Sequence, residues 1–214
     1  MKKKIIITGG LGYIGTELCK LYSGVSWNNK IIVIDNRFVS ERVNQIRNWN
    51  MEFVHGDILD KELISKYCKD ADVVHHLAGI TDVPRTKTES NEQKNEKIKL
   101  VAEEGTKNIL DAINNKCKII FPSTHVVYEG IEKVKNNILE EEEVKPLLSY
   151  SSSKAINEKQ LKNSGKNYVI LRLGSVYGYS TDTARIDIMP NLFSKIASQN
   201  GTLKLFAGGR QIKS

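Results

Sequence analysis

The segment Lys4-Ile5-Ile6-Ile7-Thr8-Gly9-Gly10-Leu11-Gly12-Tyr13-Ile14-Gly15 constrains the fold more than any other part of the chain. A β-branched run that stops at glycines reads as a buried parallel strand. Ile14, Leu18, Leu21 and Tyr22 then recur at helical spacing and predict a helix with those four residues on one face. The turn between strand and helix has G-x-G-x-x-G spacing at Gly10, Gly12 and Gly15. One such glycine makes the tight turn, one lets the backbone approach a pyrophosphate, and one lets helix and strand pack closely. Phosphates then meet N–H groups at a helix N-terminus. A glycine triplet alone is weak evidence, because turns collect glycine. Its strand–turn–helix setting is what points to dinucleotide binding.

The same alternation continues along the chain. Ile31 to Ile34 is a second apolar run, closed by Asp35, and Met51 to His55 reads as a third strand. Lys61 to Lys69 reads as a helix and Val73 to Leu77 as a fourth strand. Ile98, Val101, Ile109, Ala112 and Ile113 predict a helix from about Asn91 to Asn115. Lys118 to Phe121 is a fifth strand, Tyr150 to Leu161 a helix and Tyr168 to Leu173 a sixth strand. Strands alternating with helices predict an α/β protein with a doubly wound parallel sheet and right-handed crossovers.

Composition narrows the function classes. A chain of 214 residues holds one sizeable α/β domain, or one domain and part of a second. No apolar run approaches the roughly 20 residues of a membrane span, and Ile5 to Ile7 behind the basic start is too short for a secretory signal. The expectation is a cytoplasmic protein without a membrane partner. Cys19, Cys68 and Cys117 are odd in number and form no Cys-x-x-Cys, so they read as buried inert thiols. The four histidines lack ligand spacing, and no metal site is expected. The net charge of +7 comes from lysines scattered among Asn and Glu, which does not suggest a nucleic-acid partner. The acidic run Glu140 to Glu143 reads as a solvated loop.

Three further features carry chemistry. Asp35, at the end of the second strand, can accept hydrogen bonds from adenosine ribose hydroxyls and would repel a 2′-phosphate, favouring NAD over NADP. Taken alone it would read as a surface turn residue, and Arg37 two positions on leaves NADP open. Tyr150 and Lys154 stand at i and i+4, hence on one helical face. A cation beside the phenol lowers the tyrosine pKa towards neutrality, as an acid/base for alcohol–ketone interconversion requires. Ser123 and Thr124 stand at the carboxyl end of the fifth strand, beyond which ligands of open parallel sheets bind; ordinary loop capping by small hydroxyls is the alternative.

In order, these motifs resemble the extended short-chain dehydrogenase/reductase family of NAD-dependent epimerases and dehydratases acting on nucleotide sugars. The match rests on Thr8 to Gly15, Asp35, Gly56-Asp57-Ile58, His76-Leu77-Ala78-Gly79, Ser123-Thr124 with Tyr150/Lys154, and Leu171-Arg172-Leu173-Gly174-Ser175-Val176-Tyr177-Gly178. The resemblance implies an NAD cofactor held by Gly9, Gly12, Tyr13, Ile14, Gly15, Asp35, Asn36, Asp57, Ile58, Leu77, Ala78 and Gly79, with Tyr150 and Lys154. It places the catalytic hydroxyl on Thr124, beside the Tyr150/Lys154 pair, and substrate contacts on Ser123, Thr124 and Ser175. The implied reaction is epimerisation of a nucleotide sugar through transient hydride transfer. A net reductase or dehydrogenase of the same fold, or a non-catalytic dinucleotide sensor, are the alternatives. Relatives commonly dimerise, so a homodimer is compatible with the resemblance.

Departures are also visible. Ala102 stands where the family usually has Asn, Ser175 replaces a common Asn, and Tyr179 replaces the following Pro. His125-Val126 stands where nucleotide-sugar dehydratases carry Asp-Glu, which argues against a 4,6-dehydratase. The resemblance divides the chain into a cofactor domain with the catalytic residues, 1–178, and the start of a truncated substrate-binding lobe, 179–214. Met189 to Ser198 reads as a helix, Thr202 to Phe206 as a strand and Gly208 to Ile212 as the turn after it. So small a lobe buries little apolar surface, so residues beyond Gly178 are expected to be poorly ordered or propped by a partner chain. The expectation is a chain, truncated or in need of another subunit, that binds NAD without turning over a nucleotide sugar alone.

Overall fold

The computed structural model describes residues 2–81, 91–180 and 185–210. Six strands, β1 (Lys4–Thr8), β2 (Lys30–Asp35), β3 (Glu52–His55), β4 (Val73–His76), β5 (Lys118–Thr124) and β6 (Asn167–Leu173), form one sheet. Their order is β3-β2-β1-β4-β5-β6, and every neighbouring pair is parallel. The chain winds outward from β1 to β3, then crosses back to β4 on the other side of β1. That reversal opens a crevice beyond the carboxyl ends of the central strands.

The helices are α1 (Tyr13–Ser23), α2 (Ser40–Asn48), α3 (Lys61–Cys68), α4 (Glu92–Ala112), α5 (Ser149–Asn163) and α6 (Met189–Ser198). One core layer packs Ile6, Ile32 and Phe121 of the sheet against Ile64 of α3, Ile109 of α4 and Leu161 of α5. The other packs Ile5, Ile7 and Val33 against Cys19 of α1 and Val43 and Ile46 of α2. With both faces covered, successive isoleucines are buried on opposite sides, which is why the strands read as continuous apolar runs. Cys19, Cys68 and Cys117 are buried free thiols, and burial pushes the first two up to about 12 and the third to about 11. Among the described residues, no helix is long and apolar enough to cross a membrane.

Four local expectations need correction. In α1 the buried residues are Gly15, Thr16 and Cys19, whereas Leu21 is 79% exposed. The cause is Gly15: a Cβ there would lie 2.4 Å from the Gly9 carbonyl oxygen, so the helix sits tightly on the turn through its small residues. Helix α2 was not foreseen, because Val43 and Ile46 are its sole buried residues in an otherwise polar stretch. Strand β5 runs on through Pro122, Ser123 and Thr124 in register with Leu171 to Leu173. Residues 202–205 form no strand, and Phe206–Gly209 is a short 3₁₀ turn. The expected Gly208 to Ile212 turn extends past the described residues at Gln211 and Ile212.

Candidate functional site

The carboxyl ends of the strands open into a cleft of about 1700 Å³. One wall is the glycine-rich turn. Gly9 has φ +71°, and a Cβ there would lie 2.7 Å from the Ala78 amide nitrogen, so glycine lets the loop after β4 close over the turn. The Thr8 hydroxyl fastens that loop by accepting from Ala78 N at 3.2 Å. Leu77, Ala78 and Gly79 thereby face the cleft beside Gly9, Gly12, Tyr13, Ile14 and Gly15. Helix α1 follows Gly12 at its N-cap, with no side-chain cap and no acidic residue in its first turn. The positive end of its dipole is left for an anion to complete.

Asp35 is buried at the end of β2. Its Oδ2 accepts from Leu11 N at 2.9 Å, and its Oδ1 accepts from Arg37 N at 3.0 Å and Arg37 Nε at 3.4 Å. Further along the same wall, Asn36 Nδ2 donates to Asp57 Oδ2 at 2.9 Å, and Leu59 N donates to Asp57 Oδ1 at 2.9 Å. Ile58 packs into the space left by Gly105 of α4, where a Cβ would approach its Cδ1 to 2.3 Å. The Tyr13 hydroxyl donates to the Gly178 carbonyl at 2.9 Å, tying the turn to the segment after β6.

A buried bridge ties β1, β4 and α4 together. His76 meets the Thr8 hydroxyl through Nδ1 and the Thr106 hydroxyl through Nε2, both at 3.0 Å. Burial, seconded by the Lys154 charge, lowers its pKa to about 3. A neutral imidazole can serve two hydroxyls by accepting at one nitrogen and donating at the other.

On the opposite side β5 and α5 bring Thr124, Tyr150 and Lys154 to the same cleft. Thr124 caps the 3₁₀ turn His125–Tyr128, its Oγ1 accepting from Val126 N at 3.3 Å. Lys154 is enclosed: its ammonium donates to the Pro122 carbonyl at 2.8 Å and lies 4.4 Å from the centre of the Phe121 ring and 5.9 Å from that of Tyr150. Burial lowers this amine to about 8, opposed by the carboxylate of Glu158. Tyr150 departs from expectation. Burial raises its phenol above the ordinary value, with Arg185 acting in the opposite sense. The lysine spends its hydrogen bond on Pro122 and meets the tyrosine at its ring, so desolvation dominates the phenol.

Ser123 and Thr124 differ sharply. The Ser123 hydroxyl donates to Glu158 Oε1 at 2.6 Å. Glu158 in turn pairs with Arg172 of β6, Nε to Oε1 at 3.0 Å and Nη2 to Oε2 at 2.6 Å. This pair was not foreseen, although Tyr150, Lys154 and Glu158 stand at i, i+4 and i+8 and announce one helical stripe. Ser175 lines the outer cleft with Arg185 and Met189. Ala102, at the position where Asn was anticipated, has its carbonyl held by Asn157 Nδ2 of α5 at 2.9 Å. All the anticipated site residues therefore border one cavity.

Known proteins share the sequence pattern and the fold. A CDP-paratose 2-epimerase of Salmonella typhi is 36% identical over 146 residues, 63% of this chain and 40% of that protein. A UDP-N-acetyl-alpha-D-glucosaminuronate decarboxylase of Bacillus cytotoxicus is 29% identical over 224 residues, 100% of this chain and 67% of that protein. Among solved structures, a UDP-N-acetylglucosamine 4-epimerase from Methanobrevibacter ruminantium M1 superposes with a TM-score of 0.78 at 28% identity, covering 99% of this chain and 68% of that one. A UDP-glucuronic acid 4-epimerase from Bacillus cereus, solved in complex with NAD, gives 0.77 at 26% identity, covering 97% and 67%. The chain thus spans from 40% to 67% of the length of these two curated relatives. The sequence pattern of one family runs over residues 5–213, and the chain belongs to it: the NAD dependent epimerase/dehydratase family.

Proposed function

We propose that the chain binds NAD across the cleft and serves the epimerisation of a nucleotide sugar. The observation that carries this reading is convergence: Thr124 from β5 and Tyr150 and Lys154 from α5 border the same cavity as the glycine turn and Asp35. The residues fit the cofactor. The uncapped start of α1 suits a pyrophosphate, and the buried Asp35 carboxylate suits ribose hydroxyls. Asn36, Asp57 and Ile58 would border the adenine, and Leu77 to Gly79 the path between the two ends of the dinucleotide.

Bound there, NAD would supply reversible acceptance of a hydride from a sugar carbon. The chain's own residues handle the proton and the geometry. Tyr150 takes the proton of the reacting hydroxyl and returns it. Thr124 donates a hydrogen bond to the same oxygen, Arg185 favours the phenolate that burial disfavours, and Lys154 lies against the Tyr150 ring. Return of that hydride to the opposite face of the keto sugar would invert the carbon. Ser175 and residues beyond Gly178, Arg185 and Met189 among them, form the sugar-nucleotide side, with 1–178 as the cofactor domain and 179–214 as part of the substrate-binding side.

Calorimetry with NAD and NADP tests the first half of the proposal. Incubation with UDP-, GDP-, CDP- and dTDP-sugars, read by proton NMR of the products and by absorbance at 340 nm, tests the second. The chain spans 40% to 67% of these relatives, so NAD binding is expected of it alone, and a new epimer with a flat 340 nm trace of a form that also supplies the rest of the relatives' length. Absence of NAD binding overturns the reading, and accumulating absorbance replaces it with a net dehydrogenase.

A further inference from the structure

The buried ion pair behind the catalytic face is not used by the chemistry above. Glu158 is 3% exposed and lies one helical turn beyond Lys154 on α5. Its carboxylate collects the Ser123 hydroxyl of β5 and two nitrogens of Arg172 on β6. Arg172 continues the network, donating to the Tyr128 hydroxyl and to the Glu140 carbonyl. One carboxylate thus joins α5, two strands, the 3₁₀ turn after β5 and the loop beyond it. Ser123 is the middle residue of Pro122-Ser123-Thr124: its predecessor supplies the carbonyl that receives Lys154, and its successor supplies the cleft hydroxyl.

We propose that Glu158 is a positioning residue for Lys154, resting on the function proposed above. Through Ser123 it clamps the Pro122–Thr124 segment, and through its charge it keeps the enclosed ammonium protonated. The cost of placing a carboxylate here is large. A buried pair is often no more stabilising than a well-packed apolar replacement, so stability alone is a weak reason to keep one. Around Lys154 stand His76 of β4, the Phe121 ring and Pro122 carbonyl of β5, and Tyr150 and Glu158 of its own helix. Of these, Glu158 is the carboxylate, and it opposes the burial that draws the lysine down to about 8. Around Glu158 stand Arg172 of β6, Ser123 of β5, and Lys162 and Lys154 of α5. Burial works against its charge, but the hydrogen bonds from Arg172 and Ser123 prevail and hold the acid below its ordinary range. The carboxylate is therefore charged throughout the range in which the lysine titrates.

The test follows the Lys154 side chain by NMR of a 13Cε-lysine-labelled chain, assigned with Lys154→Arg, and needs neither cofactor nor turnover. In Glu158→Gln the titration midpoint of Lys154 should fall by about one pH unit. Glu158→Asp, which retains the charge, should restore most of it. Arg172→Met should lower the melting temperature while leaving the midpoint near the wild-type value, which separates structural damage from the electrostatic role. If Glu158→Gln does not fold, Glu158→Gln/Arg172→Met also removes the buried guanidinium that Glu158→Gln leaves without its partner, and carries the same expectation. An unmoved midpoint in the folded variant overturns the inference whether or not the chain binds NAD. Failure of NAD binding with a shifted midpoint overturns only the functional reading.

Discussion

The two halves of the sheet serve the cleft by different means. Around β1, β2 and β3 the site is made largely of backbone: glycines that admit close approach, an uncapped helix start and acceptors held in place by main-chain amides. Around β5 and β6 it is made of side chains, with Thr124, Tyr150 and Lys154 in front and the Ser123–Glu158–Arg172 network behind. Burial follows the same divide. In β2, KIIVID is buried from its second residue to its last, whereas in β6, NYVILRL, no residue is fully buried. Two similarly apolar strands thus meet opposite fates, because β2 lies within the sheet under helices on both faces and β6 forms its edge. Apolar sequence states a capacity for burial; topology decides whether it is used.

The largest expected effect separates chemistry from binding. Tyr150→Phe keeps the ring and removes the proton carrier, so in an active, full-length form turnover should fall by about 10²–10⁴-fold while NAD affinity stays within a few-fold. Parallel calorimetry and product analysis check it. Wild-type turnover in the variant would remove Tyr150 from the mechanism and erase the contrast between the two halves.

Strand burial predicts a second, smaller contrast. Ile32→Ala empties a fully buried position of β2 and should cost about 2–5 kcal/mol. Leu171→Ala, on a β6 residue that is 42% exposed, should cost less than about 1.5 kcal/mol. Urea unfolding of both variants reads the difference. Equal losses would mean that the outer face of β6 is covered in solution.

These contrasts also mark what the sequence could disclose. Strands β1 to β4 and the turn after β1 were legible because each residue's role is local: β-branched runs, glycine spacing and an acid at a strand end. Helix α2 escaped notice because two buried apolar residues in nine are too few to set a period. The buried face of α1 was misjudged because Gly15, not a large apolar residue, sets the contact. The roles of Ser123 and Thr124 stayed ambiguous because Glu158, 35 residues on, captures only one of the two hydroxyls. Expecting a low phenol pKa from the i, i+4 pair omitted where the ammonium hydrogen bond goes.

A third prediction concerns acid. Burial lowers His76 from an ordinary 6.5 to about 3, so between those values the unfolded chain binds a proton that the folded chain refuses. Its contribution is complete above pH 6.5 and is lost as pH falls, by at most about 1.4 kcal/mol per pH unit. His76→Asn should flatten that part of the stability–pH curve, measured by denaturant midpoints from pH 7 to pH 4. A curve of unchanged slope would place the acid sensitivity elsewhere.

The smallest effect bears on the choice of cofactor. Asp35 and Arg37 make opposite demands on a 2′-phosphate, and the structure couples them: the carboxylate accepts from both Arg37 N and Arg37 Nε. The carboxylate is 4% exposed and pinned by Leu11 N, whereas the guanidinium side chain is 56% exposed. A buried anion held by main-chain amides should outweigh an exposed cation, so NAD should bind more tightly than NADP. Asp35→Ser removes the repulsion and releases Arg37 to meet the phosphate. It should weaken NAD by about tenfold, the order of one hydrogen bond to a charged group, and strengthen NADP. Arg37→Ala in the Asp35→Ser background should then abolish the gain for NADP. Calorimetric titrations of the three proteins with both cofactors at one fixed ionic strength give all the affinities. If wild-type protein prefers NADP, the exposed guanidinium sets the choice, and the backbone-built half of the cleft depends on a surface side chain after all.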